Sequence, residues 1–308
     1  MACDVSIIYV NYNTSGLIAD SILTVLKNVV ELNYEIIIVD NNTEKDLEKK
    51  ICPLIPHSVK IQFIYLNENI GFGRANNEGA KYANGEYLIL LNPDTLLVNN
   101  AIKILYDFMK ENHKVGACGG NLIGAQNKPS FSFRKILPGP VWEFQELTHH
   151  FFCYPKNSIK RFYNFTDNPK RVAYISGANL MIKTSIYKKC GGFPEELFMY
   201  WDDVAICKKI KDLEYEIYNV PEARIIHLES QSFDGESLNK SKKIEFQEKY
   251  RHVYLKKYLP KTNVFIANFI YYLFLQSRII SLPKGLKQDY YRKRLEFYKK
   301  YKKSTLEV

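Results

Sequence analysis

Four short apolar runs, Val5–Val10, Tyr34–Val39, Lys60–Leu66 and Tyr87–Leu91, alternate with longer helix-like stretches in the first third of the chain. Runs of this length rich in β-branched residues bury both strand faces, so the alternation predicts βαβα units and a sheet covered by helices on both sides. In such sheets ligands bind beyond the carboxyl ends of the strands. The residues there are Asn11-Tyr12-Asn13, Asp40-Asn41-Asn42, Asn67 to Gly73, and Asn92-Pro93-Asp94. Asn, Asp, Gly and Pro also serve tight turns, so any one group is explained by turn chemistry alone. Two carboxylates at the same edge of one sheet, Asp40 and Asp94, weaken that explanation.

Beyond the first third the pattern changes. From Lys135 to Lys170 periodicity fades and Pro138, Pro140, Trp142, Phe151, Phe152, Tyr154 and Pro155 accumulate, which predicts an inserted lid or acceptor loop. Strands are then predicted at Val172–Ile175 and Ala178–Lys183, a helix from Asp202 to Leu213, and strands at Glu216–Val220 and Arg224–His227. After Ser237 the pattern is helical. Its apolar stretch, Val264 to Leu275, is too short and too quickly interrupted by Arg278 to predict a bilayer span. An apolar helix followed by a basic segment suits an interfacial anchor, or equally a helix docked on the core or at a dimer interface. The expected organisation is a catalytic domain over residues 1–236, with halves near 1–120 and 121–236, and a helical extension over 237–308.

Charge sharpens one part of this picture. The chain has 308 residues and a formal net charge of +10, which suggests an anionic partner. Nine Lys and Arg between Lys284 and Lys303 face only Asp289 and Glu296, so much of the excess sits in the tail. Six scattered cysteines lack disulfide or zinc spacing, and the N-terminus lacks the basic flank and length of a signal peptide. A cytoplasmic protein with reduced thiols is expected.

The candidate chemistry lies at the strand ends. Asp40 would accept a hydrogen bond from the imide N–H of uracil or thymine. The loop Asn69 to Asn77 opens a helix, so Gly71 and Gly73 would let backbone amides approach a diphosphate while Arg74 adds charge. A dinucleotide fingerprint fails here, because Asn76 replaces the third glycine and the motif follows the third strand. Asp94 would offer an oxygen to a hard divalent cation, and His227, ending a later predicted strand, an imidazole. Asp202 and Asp203 start a helix, where acids also act as caps.

In order along the chain, Ile8 to Asn13, Val39 to Asn42, Asn69 to Gly73 with Ala75 to Asn77, Leu91 to Asp94, Ser176 to Ala178, Gly191 to Phe193, Trp201 to Asp203, and His227 with Ser230 form a specific series. The series resembles glycosyltransferase family 2 of the GT-A fold, especially its bacterial rhamnosyltransferase-like branch. The resemblance implies an α/β fold with a GT-A type, Rossmann-like mixed sheet. It implies a metal-dependent, inverting hexosyltransferase using a dTDP- or UDP-sugar, rhamnose or a hexose, with Mn²⁺ or Mg²⁺. The nucleotide-sugar would be held by Asn11, Asn13, Asp40, Asn42, Asn69, Gly71, Gly73, Arg74, Asn76 and Asn92. Asp94 and His227 would bind metal, Asp203 or Asp202 would be the base, and Gly177, Ala178 and Trp201 would meet the acceptor.

That acceptor would be a glycan or lipid-linked glycan in bacterial surface polysaccharide synthesis, reached at the inner face of the plasma membrane, with no nucleic acid partner. Two positions depart from the family pattern, since Asn92 replaces the first acid of D-x-D and Ala205 a further acid after the catalytic pair. A catalytically silent sugar- or membrane-binding scaffold and a nucleotidyltransferase are the rival readings.

Overall fold

The computed structural model describes residues 3–42, 46–152, 159–228 and 240–303. Ser230, Tyr154 and Pro155, named above, lie outside them.

The predicted strands form the sheet's first half. β1 (Val5–Asn11) pairs in parallel with β2 (Tyr34–Asp40) and β4 (Tyr87–Leu91), and β2 pairs in parallel with β3 (Lys60–Tyr65). Alternate β1 side chains point to opposite faces. Ile7 and Tyr9 join the cluster with Ile18 and Ile22 of α1 (Ser15–Asn28) and Ile102 and Leu105 of α4 (Ala101–Glu111). Ile8 faces the other way, toward Gly79 of α3 (Phe72–Lys81), where a Cβ would stand 2.9 Å from its Cγ2. Helices on both faces explain why these strands read as uninterrupted apolar runs.

The second half is mixed rather than parallel. β10 (Asn179–Lys183) runs antiparallel between β4 and β6 (Val115–Ile123), and β11 (Glu216–His227) lies parallel to β6 and antiparallel to β5 (Thr95–Leu97). The two strands expected at Glu216–Val220 and Arg224–His227 are one strand with a register shift between Val220 and Arg224. Pro221 has no N–H to give the ladder, so pairing skips it and resumes. The short strands β7 (Phe133–Arg134) and β9 (Tyr174–Ile175) pair with each other, β8 (Lys170–Arg171) pairs with β11, and α2 (Leu47–Ile51), α6 (Thr184–Lys189) and α7 (Asp202–Asp212) are further helices.

Two compact units result. One holds Met1–Lys135, Ile159–Phe198 and Asp202–Gly235; the other holds Ile136–Ser158, Met199–Trp201 and Glu236–Val308. The expected lid between Lys135 and Lys170 is therefore corrected in part, because Pro140–Phe152 is a helix, α5, of the second unit. Its Glu143 is buried and accepts two hydrogen bonds from Arg251, at 3.0 and 2.6 Å. Pro140 at the first helical position lacks only an amide that a helix start would leave unbonded.

The second unit also contains α8 (Lys240–Tyr258), α9 (Lys261–Ser281) and α10 (Leu286–Lys303). A further correction concerns α9: it continues past Arg278 to 21 residues, and by length and composition it is long and apolar enough to cross a membrane. Asn268 on α9 accepts from Arg251 at 2.8 Å, and Glu248 on α8 accepts from Tyr271 of α9 and Arg294 of α10.

Candidate active site

Parallel pairing brings the ends of β1 and β2 level, with Asn11 opposite Asp40. Asn11 donates from Nδ2 to Asp40 Oδ1 at 2.7 Å and accepts from the Thr14 amide and hydroxyl. Both residues are buried, so the strand-end carboxylate is oriented by its neighbour rather than by bulk water. Asn13 and Asn42 are exposed with φ near +60°, the left-handed conformation that Asn tolerates best among larger residues.

Asn41, a strand-end residue to which the sequence assigned no role, makes the connection across the site edge. Its Nδ2 donates to Asn69 Oδ1 at 2.8 Å, and its Oδ1 accepts from the Ile70 amide at 2.9 Å. Asn69 Oδ1 also accepts from the Gly71 amide, and the Phe72 amide donates to the Phe198 carbonyl. The amides of residues 70–72 are therefore bonded within the protein. The glycines serve close packing: with φ at +90°, a Cβ on Gly71 would stand 2.2 Å from the Phe198 carbonyl oxygen, and one on Gly73 2.9 Å from Phe193 Cβ.

Asn76 is turned inward, donating to the Phe72 carbonyl within α3. Arg74 donates to the Ile70 carbonyl at 2.6 Å and lines a cavity of about 540 Å³ with Asn77, Lys81, Tyr187 and Gly192.

At the ends of β4 and β11 a second group assembles. His227 Nε2 lies 3.3 Å from Asp94 Oδ1 and 3.5 Å from Asn92 Nδ2. Asp94 is 2% exposed, and its carbonyl accepts from the Leu228 amide, which fastens the two strand ends together. Among the described residues no three His, Cys, Asp or Glu side chains gather as a metal site. Asp94 and His227 are thus a two-residue pair, and the Asn92 side chain lies beside it. The Asn92 amide donates to the Ala178 carbonyl, and the Ala178 side chain is buried in the core.

The acidic pair at the start of α7 is divided by its surroundings. Asp202 is 6% exposed; its Oδ1 accepts from the Asp203 amide, and its Oδ2 has no hydrogen-bond partner among the described residues. Asp203 is half-buried and accepts from Val204 N–H at 2.7 Å and Gly177 N–H at 3.3 Å. Burial pushes both carboxyls above the usual carboxylate range, and the neighbouring Asp203 charge raises Asp202 further. The two titrate as a pair.

Tyr200 and Trp201, immediately before them, both have φ near +65°. Two consecutive bulky residues in that region store strain of about 1–3 kcal/mol each and fix where the helix begins. The Trp201 indole N–H is committed to the Gln247 carbonyl and its ring leans on Tyr254, both in the helical unit.

Comparisons with known proteins agree with this architecture. Poly-beta-1,6-N-acetyl-D-glucosamine synthase of Staphylococcus epidermidis is 27% identical over 219 residues, 71% of this chain and 48% of its own length. The enzyme of the same name from Staphylococcus aureus strain MSSA476 is 33% identical over 112 residues, 36% of this chain and 26% of its own. This chain thus spans about half the length of the longer-matching curated relative.

Among solved structures, GalNAc-T7 with UDP, GalNAc and Mn²⁺ superposes with a TM-score of 0.64 at 16% identity, covering 98% of this chain and 56% of that one. The mannosyltransferase PcManGT from Pyrobaculum calidifontis, with GDP-Man and Mn²⁺, gives 0.57 at 14% identity over 99% of this chain and 84% of its own. At these identities the likeness concerns fold, and the fold is GT-A, with its curled mixed sheet between helices. The profile of glycosyl transferase family 2 matches residues 6–191, well over half of the sequence and most of the sheet described above, and the chain belongs to that family.

Proposed function

We propose that the protein is an inverting, metal-dependent glycosyltransferase that moves rhamnose or a hexose from a dTDP- or UDP-sugar to a hydroxyl of a glycan or lipid-linked glycan. The observation that carries this reading is the pairing of Asp94 with His227 at 3.3 Å, at the sheet edge that also presents Asp40. This carboxylate oxygen and imidazole nitrogen, 3.3 Å apart, are donor types that would hold a divalent cation such as Mn²⁺ or Mg²⁺. Such ions keep their remaining positions for water and substrate phosphate, which suits a two-residue site. A bound Mn²⁺ or Mg²⁺ supplies electrostatic stabilisation of the departing diphosphate.

The chain's own residues perform the rest. Asp40, held by Asn11, accepts from the pyrimidine imide N–H. The half-buried Asp203 takes the acceptor proton while the acceptor oxygen bonds to the anomeric carbon, and the bonding pair leaves with the nucleoside diphosphate. Burial makes Asp203 more basic than an ordinary carboxylate, which brings it closer to its task at neutral pH. Asp202, more deeply buried, supports the helix start. The helical second unit attaches the enzyme peripherally to an anionic membrane surface, where a lipid-linked acceptor is presented.

The test is a donor screen with purified protein, measuring nucleoside diphosphate release from dTDP- and UDP-sugars with Mn²⁺, Mg²⁺ or chelator, followed by NMR of the product anomer. Release of UDP or dTDP with inverted configuration is expected. Tight nucleotide binding without release favours the silent scaffold, and pyrophosphate release from a sugar phosphate and a nucleoside triphosphate favours nucleotidyl transfer.

A further inference from the structure

The net positive charge of the chain lies in its C-terminal helices. Residues 240–303 contain 18 Lys and Arg against 4 Asp and Glu, leaving 25 against 29 in the rest of the chain. Its longest helix, α9, is two-faced. At about 100° per residue, Phe265, Phe269, Ile280, Leu273 and Ile266 fall within one stripe about 100° wide. All five are exposed, Phe265 at 72% and Ile280 at 82%. The opposite side presents Ala267, Asn268, Tyr271 and Leu275, all buried.

That buried side decides how the helix can meet a bilayer. Asn268 and Tyr271 are hydrogen-bonded into the cluster of Arg251, Glu143, Glu248 and Arg294, whose charges are paired with one another. A helix crossing the hydrocarbon would carry this charged cluster with it, which no membrane core accommodates cheaply. A helix lying in the interface immerses only its exposed stripe and leaves the cluster in protein.

Beside the stripe is a cavity of about 630 Å³. Phe265, Phe269, Val264 and Leu259 line its apolar part, and Lys256, Lys261 and Lys302, all exposed, stand around it. Exposed apolar side chains beside three ammonium groups suit a phosphate with hydrocarbon attached, and the buried His252 and Asn268 also line the cavity. Scattered exposed apolar residues are ordinary on a protein surface, but five in one stripe beside a basic cavity are not.

We propose that α9 lies flat in the membrane interface and that this cavity seats the phosphate of an anionic phospholipid between Lys256, Lys261 and Lys302, with Phe265 and Phe269 in the acyl region. This rests on the membrane attachment proposed above and assigns it to particular residues. Each rim lysine near an anionic surface contributes about a fivefold gain in binding. Apolar insertion and charge then act as the two signals that stable peripheral attachment requires.

The experiment is co-sedimentation of the full chain with vesicles of phosphatidylcholine alone or with 30% phosphatidylglycerol, at low and high salt. The variants are Phe265→Gln with Phe269→Gln, and Lys256→Gln with Lys261→Gln and Lys302→Gln, each checked by thermal unfolding and by its oligomeric state without lipid. The wild type should bind only the anionic vesicles. The lysine variant should bind roughly 100-fold more weakly, and the phenylalanine variant should lose binding even at low salt. If the wild type binds neither vesicle, membrane attachment itself is wrong and this assignment falls with it. If it binds and the folded variants bind equally well, attachment stands but the α9 site does not. A wild-type dimer that the phenylalanine variant converts to monomer would make the stripe a subunit interface and overturn the proposal.

Discussion

Asp203→Asn separates chemistry from structure more cleanly than any other substitution in this site, because it removes charge and basicity with almost no change of shape. The asparagine oxygen can keep the 2.7 Å bond from Val204 N–H. Its NH₂ then faces the Gly177 amide, and the 3.3 Å bond accepted there is lost. One long hydrogen bond is worth about 0.5–1.5 kcal/mol, so stability should fall by no more than that, and removing a charge that burial disfavours works in the opposite direction. Loss of a positioned base lowers turnover by about 10²–10⁴-fold, or roughly 2.7–5.5 kcal/mol of barrier.

The two ranges do not overlap, so the origin of a defect can be read from its size. Turnover would be measured as nucleoside diphosphate release at saturating donor, donor affinity by calorimetry with UDP or dTDP, and stability by thermal unfolding. Affinity should stay nearly constant. In the wild type the base must lose its proton first, and burial holds that proton on, so the acid limb of the rate profile should lie above the usual carboxylate range. Turnover within tenfold of wild type would refute the assignment. Full loss in Asp202→Asn with an active Asp203→Asn would reverse the two roles.

Asp202 supplies a stability prediction of definite sign. Its folded pKa is raised, so between the unfolded carboxylate value and the raised one the native state binds more protons, and stability falls as pH rises. Asp202→Asn should therefore raise Tm at pH 8 and leave it nearly unchanged at pH 4.5; equal shifts at both pH values would contradict the burial argument. Asp94→Ala should abolish turnover with the fold retained, checked by circular dichroism, and full activity of that variant in chelator would remove the metal assignment. Gly71→Ala must place a Cβ against the Phe198 carbonyl at φ +90°, so it should destabilise by at least about 2 kcal/mol, roughly 4–8 °C in Tm.

The first four strands were legible because strands covered on both faces carry continuous apolar runs, and Asp40 and Asp94 followed from where those runs stop. β6 was not legible. Its Gly116, Gly119 and Gly120 weaken the strand signal, and they are there because neighbours crowd in: a Cβ on Gly120 would stand 2.2 Å from the Ala223 carbonyl oxygen. Nor could the sequence say which asparagine after β2 turns inward, because the two-residue alternation ends with the strand. Hydrogen bonding to Asn69 and Ile70 selects Asn41.

The glycines of the Asn69–Asn77 loop show the same limit, since a glycine required by a phosphate and one required by a packed carbonyl look alike until the neighbour is seen. α5 was hidden by Pro138, Pro140 and its aromatics, and only its partner Arg251, 108 residues away, explains the buried Glu143. Order and residue type along the chain determined the family, the sheet's first half and the candidate acids. Which side chains meet across the sheet edge, which carboxylate of the pair stays accessible and which stripe of α9 is left exposed were decided by long-range packing, which local patterns do not encode.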